Sequence, residues 1–253
     1  MTAVATAPRK HHLLKSIGEI AGIVLLVAAA KTAIAEPFYI PSGSMEPTLL
    51  IGDELLVTKY PYGYNAASLP AFVVLPANER YFGALPKRGD VVVFRWPGDR
   101  SQTWVKRVIG LPGDRIALRD GRVSINGKPV ELRPAGAGQS EVEDGSRIPA
   151  ARFVETLDNR EHEIFKLSAL NSLDNMPETA VPPEHLFVMG DNRDNSADSR
   201  VPVRDGGVGM LPVANLVGRV DGIVGSWDLA MRNQPVWTWP SGFRLSRFFS
   251  SVK

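Results

Sequence analysis

The sequence predicts a mainly β protein that is preceded by a single N-terminal transmembrane helix. Three observations support this fold class: β-prone runs follow one another after about residue 38, 20 prolines and 23 glycines are spread along the 253 residues, and an apolar segment lies near the start. Prolines and glycines at this density mark turns between short strands rather than long helices. Neither helical periodicity after the apolar segment nor a repeat of roughly 20–50 residues is evident.

Composition sets bounds on the function. Apolar residues make up 44% of the chain and charged residues 22%, which suffices for a core in one domain with an insertion or in two small domains. A net charge of +2 argues neither for nor against nucleic-acid binding. No basic run with interleaved aromatic residues is visible, so no nucleic-acid partner is expected. The absence of cysteine excludes a disulfide framework and a cysteine zinc site, and leaves the redox compartment open.

The apolar segment over residues 17–36 is predicted to be a transmembrane anchor. Glu19 and Lys31 interrupt it, but at about 1.5 Å per residue a helix of this length just reaches across the roughly 30 Å hydrocarbon core of a bilayer. Basic residues precede the segment. The positive-inside rule therefore places residues 1–16 in the cytoplasm and everything after about Glu36 outside.

A cleavable signal peptide is the alternative for the same segment. Its basic flank, its short apolar centre and the run Ala33-Ile34-Ala35 fit that pattern equally well. Ala35 lies nine positions before Ser44 (44 − 35 = 9), too close along the chain to fold back into a site at that serine. The segment alone leaves both alternatives open.

Three β-prone runs are predicted to form strands, at residues 53–60, 90–95 and 103–109. The dipeptides Asp120-Gly121 and Asn126-Gly127 lie between further short β-prone runs. Both are strong signals for two-residue hairpin turns, because their residues tolerate a positive φ.

A serine in a turn punctuated by glycine and proline is the most informative feature of the chain. The run from Ile40 to Leu49 reads Ile-Pro-Ser-Gly-Ser-Met-Glu-Pro-Thr-Leu and places Ser44 shortly after the apolar segment. A turn serine by itself is usually only a turn residue. Serine becomes a nucleophile when a base lies beside it and donors stabilise the oxyanion. None of the four histidines lies in a recognisable triad motif.

Lys106, in the run from Trp104 to Gly110, is the better candidate for that base because apolar residues flank it. A lysine at its usual pKa of about 10.4 is protonated at neutral pH, so it must be desolvated, which can lower that pKa by up to ~3–5 units. The neighbouring Arg107 cannot serve, because a guanidinium keeps its proton in proteins. A solvated strand lysine is the alternative.

A third block, from Gly190 to Arg200, reads Gly-Asp-Asn-Arg-Asp-Asn-Ser-Ala-Asp-Ser-Arg. In this order, the serine, lysine and Gly190 blocks closely resemble those of bacterial type I signal peptidase, the membrane-bound Ser/Lys peptidase of family S26 that removes signal peptides from exported proteins. The resemblance covers most of the chain. It is weak in the middle and departs from the family at residues 201–209.

The resemblance implies an antiparallel β-sheet catalytic core with an inserted β-rich subdomain. The polar, loop-rich chain over residues 115–183 is expected to be that insertion, with an extended part of the same sheet as the alternative. The expected organisation is a cytoplasmic N-terminus (1–16), an anchor (17–36), the first part of the core (37–114), the insertion (115–183), and the second part of the core with a membrane-proximal tail (184–253).

The resemblance assigns roles to the residues of the serine and lysine blocks. Ser44 is expected to be the nucleophile and Lys106 its general base. The Ser42 hydroxyl and the backbone N–H of Ser44 are expected to form the oxyanion hole, and Gly43 is expected to permit the backbone conformation between them. Glu46 occupies a variable position and is not expected to matter to the chemistry.

The Gly190 block is expected to support the base. Ser196 would orient Lys106 by accepting a hydrogen bond from the neutral amine. Asp198 and Arg200 resemble the family's buttressing ion pair, and their i, i+2 spacing on a strand would place both on one face. Residues 191–194 are expected to build the turn with internal hydrogen bonds. They suggest a calcium loop, but the glycine and terminal glutamate of an EF-hand are missing, so neither metal nor cofactor is expected.

The expected partners are the signal peptides of exported preproteins, cut after an Ala-x-Ala-like site. A peptide bound as an extended strand projects alternate side chains to one side, which suits two small residues with one residue between them. The resemblance implies that Phe38, Ile40, Val91 and Val93 line the pockets for these side chains.

The expected location is the bacterial cytoplasmic (inner) membrane, with a single pass, a cytoplasmic N-terminus and the catalytic domain on the outer, periplasmic side. Two apolar patches, residues 69–76 and the tryptophan-rich tail from Trp227, are candidates for contact with membrane lipid. Core packing is the alternative. It suits the first patch at least as well, whereas the tail favours lipid.

Two other functions fit parts of the sequence. A self-cleaving repressor-type Ser/Lys protease shares the chemistry, but it carries a DNA-binding domain where this chain has its apolar segment. A catalytically silent β domain that binds exported peptides does not require the combination of Ser42, Ser44, Lys106 and Ser196. The sequence leaves a collapsed site of that kind open.

Overall fold

Antiparallel β structure dominates the computed structural model, which describes residues 15–23, 35–69, 76, 79–142, 145–169 and 171–252. This confirms the predicted mainly β fold with antiparallel sheets. Beyond residue 35, the helices in the described part of the chain are short 3-10 turns of three to seven residues, in keeping with the density of proline and glycine.

The elements have the following bounds. The strands are β1 (Ala35–Tyr39), β2 (Asp53–Thr58), β3 (Val91–Trp96), β4 (Asp99–Gly110), β5 (Arg115–Arg119), β6 (Arg122–Ile125), β7 (Lys128–Pro129), β8 (Glu131–Glu141), β9 (Arg147–Leu157), β10 (Arg160–Lys166), β11 (Met176–Ala180), β12 (His185–Met189), β13 (Leu211–Pro212), β14 (Leu216–Ser226) and β15 (Ser250–Ser251). The 3-10 turns are Gly43–Met45, Tyr60–Tyr62, Ser172–Asp174, Val203–Asp205, Val213–Asn215, Leu229–Asn233, Val236–Gly242 and Leu245–Arg247.

The largest sheet contains the three strands that the sequence predicts. Its order is β1-β2-β14-β3-β4-β12-β13, with β15 paired to β14. The runs 53–60, 90–95 and 103–109 correspond to β2, β3 and β4. Strand β4 begins at Asp99, four residues earlier than predicted, because a tight turn brings Asp99 opposite Trp96 and pairing with β3 starts there.

Strand β3 is buried on both faces. Val91 and Val93 pack into the apolar cluster beneath β2 and β14, whereas Val92 and Phe94 pack into the cluster beneath β12. An uninterrupted apolar run is the sequence signature of such a strand. Because Lys106 on β4 lies opposite Val92, the candidate base belongs to the most deeply buried part of the sheet.

The middle of the chain forms two smaller sheets, in the orders β11-β5-β6-β7 and β10-β9-β8. Both predicted hairpin turns are confirmed: Asp120-Gly121 joins β5 to β6, and Asn126-Gly127 joins β6 to β7. All four turn residues have φ values between 49° and 78°, as a turn that matches the strand twist requires. The bounds of an inserted subdomain at 115–183 stay a prediction.

The N-terminal segment is described in part. Residues 15–23 are helical, while residues 24–34, which hold most of the predicted anchor, lie outside the described residues, as do residues 70–75 of the first apolar patch. No helix in the described ranges is long and apolar enough to cross a membrane. Ala35 and Glu36, at the predicted end of the anchor, belong to β1 and pair with β2; the bounds of the anchor stay a prediction.

Leu55→Ala is expected to lower the free energy of unfolding by about 2–5 kcal/mol, because the Leu55 side chain is fully buried and its loss leaves a cavity. Leu56→Ala on the same strand is the matched control. Leu56 is 38% exposed, and its truncation should cost about 0.5 kcal/mol or less. Denaturant unfolding measures both values, and equal losses would contradict the assignment of the two faces of β2.

Candidate active site

The candidate nucleophile lies in a tight turn between strands β1 and β2. Ser44 is the middle residue of the 3-10 turn Gly43–Met45, and the Met45 side chain is fully buried in the core. Lys106 Nζ donates a hydrogen bond of 2.8 Å to Ser44 Oγ. Two residues 62 positions apart in the sequence are therefore in direct contact.

Lys106 lies in a largely apolar environment and is 4% exposed. Besides Ser44, its amine donates to the Val105 carbonyl at 3.1 Å. The amine lies 5.6 Å from the centroid of the Trp104 ring, and that ring stacks on Trp96 with centroids 5.1 Å apart. The lysine thus has few polar groups to replace the water that an ammonium group prefers.

This environment changes the titration of the lysine. Burial is the main reason that the pKa of Lys106 falls from 10.5 to about 8. The carboxylates of Asp198 and Asp191 act in the opposite direction and raise the pKa, whereas the charge of Arg200 lowers it by a smaller amount. About a tenth of a group with this pKa is neutral at pH 7. A neutral amine 2.8 Å from a hydroxyl is able to take its proton.

Ser42 and Gly43 precede the nucleophile. The Ser42 and Ser44 hydroxyl oxygens are 3.4 Å apart, and Ser42 is exposed at the start of the turn. The Gly43 backbone is not left-handed, so a positive φ is not the reason for the glycine. The glycine is needed for space: a Cβ there would lie 2.9 Å from the Glu141 carbonyl oxygen.

Ser196 is buried beside the serine turn but does not bond to the lysine. A Cβ on Gly190 would overlap both Ser196 Oγ and the Ser44 carbonyl oxygen, so this glycine allows the two segments to pack together. The Ser196 hydroxyl helps to lower the pKa of Asp198. Its geometry does not amount to a hydrogen bond with that carboxylate or with Lys106. The expected Ser196–Lys106 hydrogen bond is therefore not formed in the described residues.

Asp198 and Arg200 form the expected ion pair, fully buried, with Arg200 Nη2 2.8 Å and Nε 2.9 Å from the carboxylate. Burial raises the pKa of Asp198, but the charge and hydrogen bonds of Arg200 outweigh it and leave that pKa below its usual value. The expected strand geometry is wrong. Both residues lie in a turn, where the carboxylate folds back to accept the Arg200 N–H at 3.2 Å.

The turn at residues 191–194 has the expected internal hydrogen bond, from the Asn195 N–H to the Asn192 carbonyl at 3.1 Å, but its charged side chains bind residues of other elements. Asp191 binds Arg107 of β4 at 2.7 and 2.8 Å, and Arg193 binds Glu155 of β9 at 2.5 and 2.8 Å. Asp194 accepts a hydrogen bond of 2.9 Å from a lysine of β10. Buried charges need partners of opposite sign, and the nearest partners are on these strands.

An open groove of about 600 Å³ runs past the Ser44–Lys106 pair. Three of the four predicted pocket residues line it: Phe38, Ile40 and Val93. Val91 does not: it lies opposite Arg107, whereas Val93 lies opposite Val105, which lines the groove. Sequence reasoning missed four residues of β4 that line the groove: Gln102, Thr103, Trp104 and Val105.

Sequence reasoning also missed the buried polar residues around the serine turn. Glu46 is 2% exposed and accepts a hydrogen bond of 2.6 Å from Ser140 Oγ. Arg107 is 1% exposed. A charged residue inside an apolar strand run could have indicated the burial of Arg107. Nothing local marks Glu46 and Ser140, which are 94 positions apart.

Lys106→Met is expected to stabilise the fold at neutral pH. Since the folded state lowers the pKa of this amine from 10.5 to about 8, the charged amine costs roughly 3 kcal/mol of stability at pH 7. The unfolded chain keeps its proton until the pH approaches 10.5, whereas the folded state releases it near 8. The wild type should therefore gain stability relative to the variant as pH rises through this window.

Denaturant unfolding of both proteins at pH 7 and pH 10 measures this difference. A difference that does not change with pH would contradict the lowered pKa of Lys106.

Comparisons with known proteins identify the family. The family model described as "Signal peptidase, peptidase S26" matches residues 13–227. Signal peptidase I of Rickettsia typhi is 36% identical over 250 residues, which cover 91% of this chain and 90% of the relative. Signal peptidase I of Rickettsia conorii is 35% identical over 255 residues, which cover 93% of this chain and 91% of the relative. A crystal structure of an Enterococcus faecalis signal peptidase I matches 54% of this chain and 97% of its own, with 26% identity and a TM-score of 0.31. The chain therefore belongs to the signal peptidase family, peptidase S26, whose members are serine proteases.

Proposed function

We propose that this chain is a membrane-anchored serine endopeptidase that removes N-terminal signal peptides from exported preproteins after an Ala-x-Ala-like site. The 2.8 Å contact between Ser44 Oγ and the buried amine of Lys106 carries the proposal. A serine nucleophile needs an adjacent base, and a desolvated amine is one. The relatives named signal peptidase I supply the substrate class.

In the proposed acylation step, Lys106 takes the proton of Ser44 while Oγ attacks the carbonyl carbon of the residue before the cut. The carbonyl oxygen becomes an oxyanion, and the Ser42 hydroxyl and the Ser44 N–H are its proposed donors. As the tetrahedral intermediate collapses, the C–N bond breaks and the ammonium of Lys106 gives its proton to the leaving amine. The signal peptide remains on Ser44 as an ester.

Deacylation repeats these steps with water in place of the leaving amine. Neutral Lys106 takes a proton from water, whose oxygen attacks the ester carbonyl. The ammonium then returns the proton to Ser44 Oγ as the C–O bond breaks. The lysine is neutral again at the end of the cycle, and no cofactor takes part in it.

Ser42 is proposed to be the side-chain donor to the oxyanion. Its Oγ lies 3.4 Å from Ser44 Oγ. The oxyanion is the oxygen bonded to the carbon that Ser44 attacks, so it forms close to both hydroxyl groups. Removing one such donor typically costs ~2.7–4 kcal/mol of transition-state stabilisation.

Asp198 and Arg200 are proposed to fix the loop that carries Ser196. The Asp198 carboxylate accepts the Gly190 N–H at 3.1 Å, and Arg200 donates to a carbonyl of the same loop at 2.6 Å. The role of Ser196 in orienting Lys106 stays a prediction. In the present structure the Val105 carbonyl accepts that hydrogen bond.

The substrate is proposed to bind as an extended strand along the groove. Pairing between β12 and β4 ends at Arg107, so the edge of β4 before Lys106 is open to a peptide within the described part of the sheet. Phe38 and Ile40 of the β1 side and Val93 of β3 line the same groove. Alternate side chains of a bound strand would meet these apolar residues.

Contact with membrane lipid is proposed for the tail. Among its described residues, Trp237 is 78% exposed, Leu245 71% and Phe249 85%, and tryptophan favours the membrane interface. The proposed membrane anchor lies within residues 17–34, before Ala35 of β1. It would hold the catalytic domain on the outer, periplasmic side of the bacterial inner membrane and leave the N-terminus in the cytoplasm.

Ser44→Ala should abolish processing of a preprotein with an Ala-x-Ala site, because it removes the nucleophile and leaves the fold intact. Lys106→Arg should be as inactive as Lys106→Ala, since the proposed role needs a neutral base and a guanidinium stays charged. Mass spectrometry of the products from detergent-purified proteins measures both. Cleavage by Ser44→Ala, or substantial activity of Lys106→Arg, would refute the dyad, and binding without cleavage by the wild type would favour the silent peptide-binding domain.

The rate should also depend on pH. Because Lys106 must be neutral and its pKa is lowered to about 8, kcat/KM is expected to rise about tenfold per pH unit at acidic pH and to level off above about pH 8. Rates on a synthetic peptide from pH 6 to 10 test this. A profile that is flat or falls over that range would count against a neutral lysine base.

A further inference from the structure

Glu46, two residues after the nucleophile, is a buried carboxylate attached to strand β8. It is 2% exposed. Its Oε2 accepts hydrogen bonds from Ser140 Oγ at 2.6 Å and from the Glu141 N–H at 3.1 Å, and its Oε1 accepts the same N–H at 3.3 Å. A buried carboxylate is costly unless such donors are present, so these hydrogen bonds are needed to keep Glu46 in its place.

The direction of the hydrogen bonds is fixed by chemistry. Asn192 Nδ2 lies 3.1 Å from the Gly43 carbonyl and 2.8 Å from Ser140 Oγ. A carbonyl only accepts, so the amide nitrogen faces it and donates to both oxygens. Ser140 Oγ therefore accepts from Asn192 and gives its own proton to Glu46. The carboxylate is the final acceptor of this chain of hydrogen bonds.

Asn192 binds both carbonyls next to the nucleophile. Asn192 Nδ2 holds the Gly43 carbonyl, and the Asn192 N–H donates to the Ser44 carbonyl at 3.1 Å. Gly43 itself packs closely on β8 and on Glu46, since a Cβ there would lie 2.9 Å from the Glu141 carbonyl oxygen and 3.1 Å from Glu46 Oε2. Glu46, Ser140 and Asn192 thus hold the peptide units on either side of Ser44 against β8 and the Gly190 loop.

We propose that Glu46 and Ser140 are positioning residues that act as one unit to hold Ser44 Oγ within hydrogen-bond distance of Lys106. The proposal rests on the proposed function, because it assumes that Ser44 is the nucleophile. It also reverses the expectation that Glu46 does not matter to the chemistry. Neither residue touches the Ser44–Lys106 pair in the described structure, so their effect passes through the backbone of the turn.

The test compares Glu46→Ala, Ser140→Ala and the double variant in the full-length, detergent-purified protein, with a synthetic peptide that carries an Ala-x-Ala site. Asp114→Ala is the matched control. Asp114 is likewise a buried carboxylate that accepts one backbone N–H and side-chain donors, but it lies at the turn between β4 and β5. Near-ultraviolet circular dichroism and melting temperature report the fold of each variant.

Each single variant is expected to lower kcat by roughly 10²-fold, the effect of a displacement of about 1 Å at a reacting atom. KM should stay within about twofold, because the groove is unchanged. The double variant should be no slower than the slower single variant, since residues that act as a unit are not additive. Asp114→Ala should lose stability and keep its kcat.

Glu46→Gln provides the rescue. It keeps the side-chain length and one acceptor oxygen for the Ser140 hydroxyl, so it should recover kcat to within about tenfold of the wild type. This variant and Ser140→Ala decide the question if Glu46→Ala does not fold.

Three results would overturn the positioning role: an unchanged kcat, a change confined to KM, or losses that multiply in the double variant. Failure of the proposed function is distinguishable, because it would appear as activity in Ser44→Ala. An inactive Ser44→Ala together with fully active Glu46 and Ser140 variants would refute the positioning role alone.

Discussion

The buried ion pair between Arg107 and Asp191 joins the three segments that form the site. Arg107 follows Lys106 on β4, Asp191 begins the Gly190 loop, and Thr48 near the serine turn donates to the same carboxylate at 2.5 Å. Two guanidinium contacts of 2.7 and 2.8 Å fix its orientation. Removing one member of such a pair typically costs ~3–5 kcal/mol, because the other charge stays buried. The Ser44–Lys106 contact therefore depends on an interaction that lies beside it.

Local chemistry accounts for the parts of the fold that the sequence predicted. Asp120-Gly121 adopts a turn that its two residues favour in isolation, and β3 is an apolar run because both of its faces are covered. The long β8–β9 hairpin was not predicted as such. Strand β8 contains Pro134 and two glycines, which disfavour a strand locally. Pairing with β9 over its whole length outweighs that preference.

The candidate site also has parts that the sequence predicted and parts that it did not. Ser44 and Lys106 were found from their motifs, and the structure brings them into contact. Val91 was misplaced although it shares a face with Val93, because strand alternation does not tell how far along that face the groove extends. The link from Glu46 to Ser140 spans 94 positions and has no motif. Such a link follows from tertiary packing, which hydrophobic periodicity and turn signals do not encode.

Strand β1 makes the connection between the N-terminal segment and the nucleophile short and stiff. Nine residue steps separate Ala35 from Ser44 (44 − 35 = 9), a tether at most roughly 30 Å long when fully extended. Pairing with β2 fixes the first five residues of that tether. An anchored chain would thus keep its active site in a thin layer of solvent at the bilayer surface, where the effective concentration of membrane-bound substrates is high. The depth of a cleavage site relative to the bilayer would then select substrates together with its sequence.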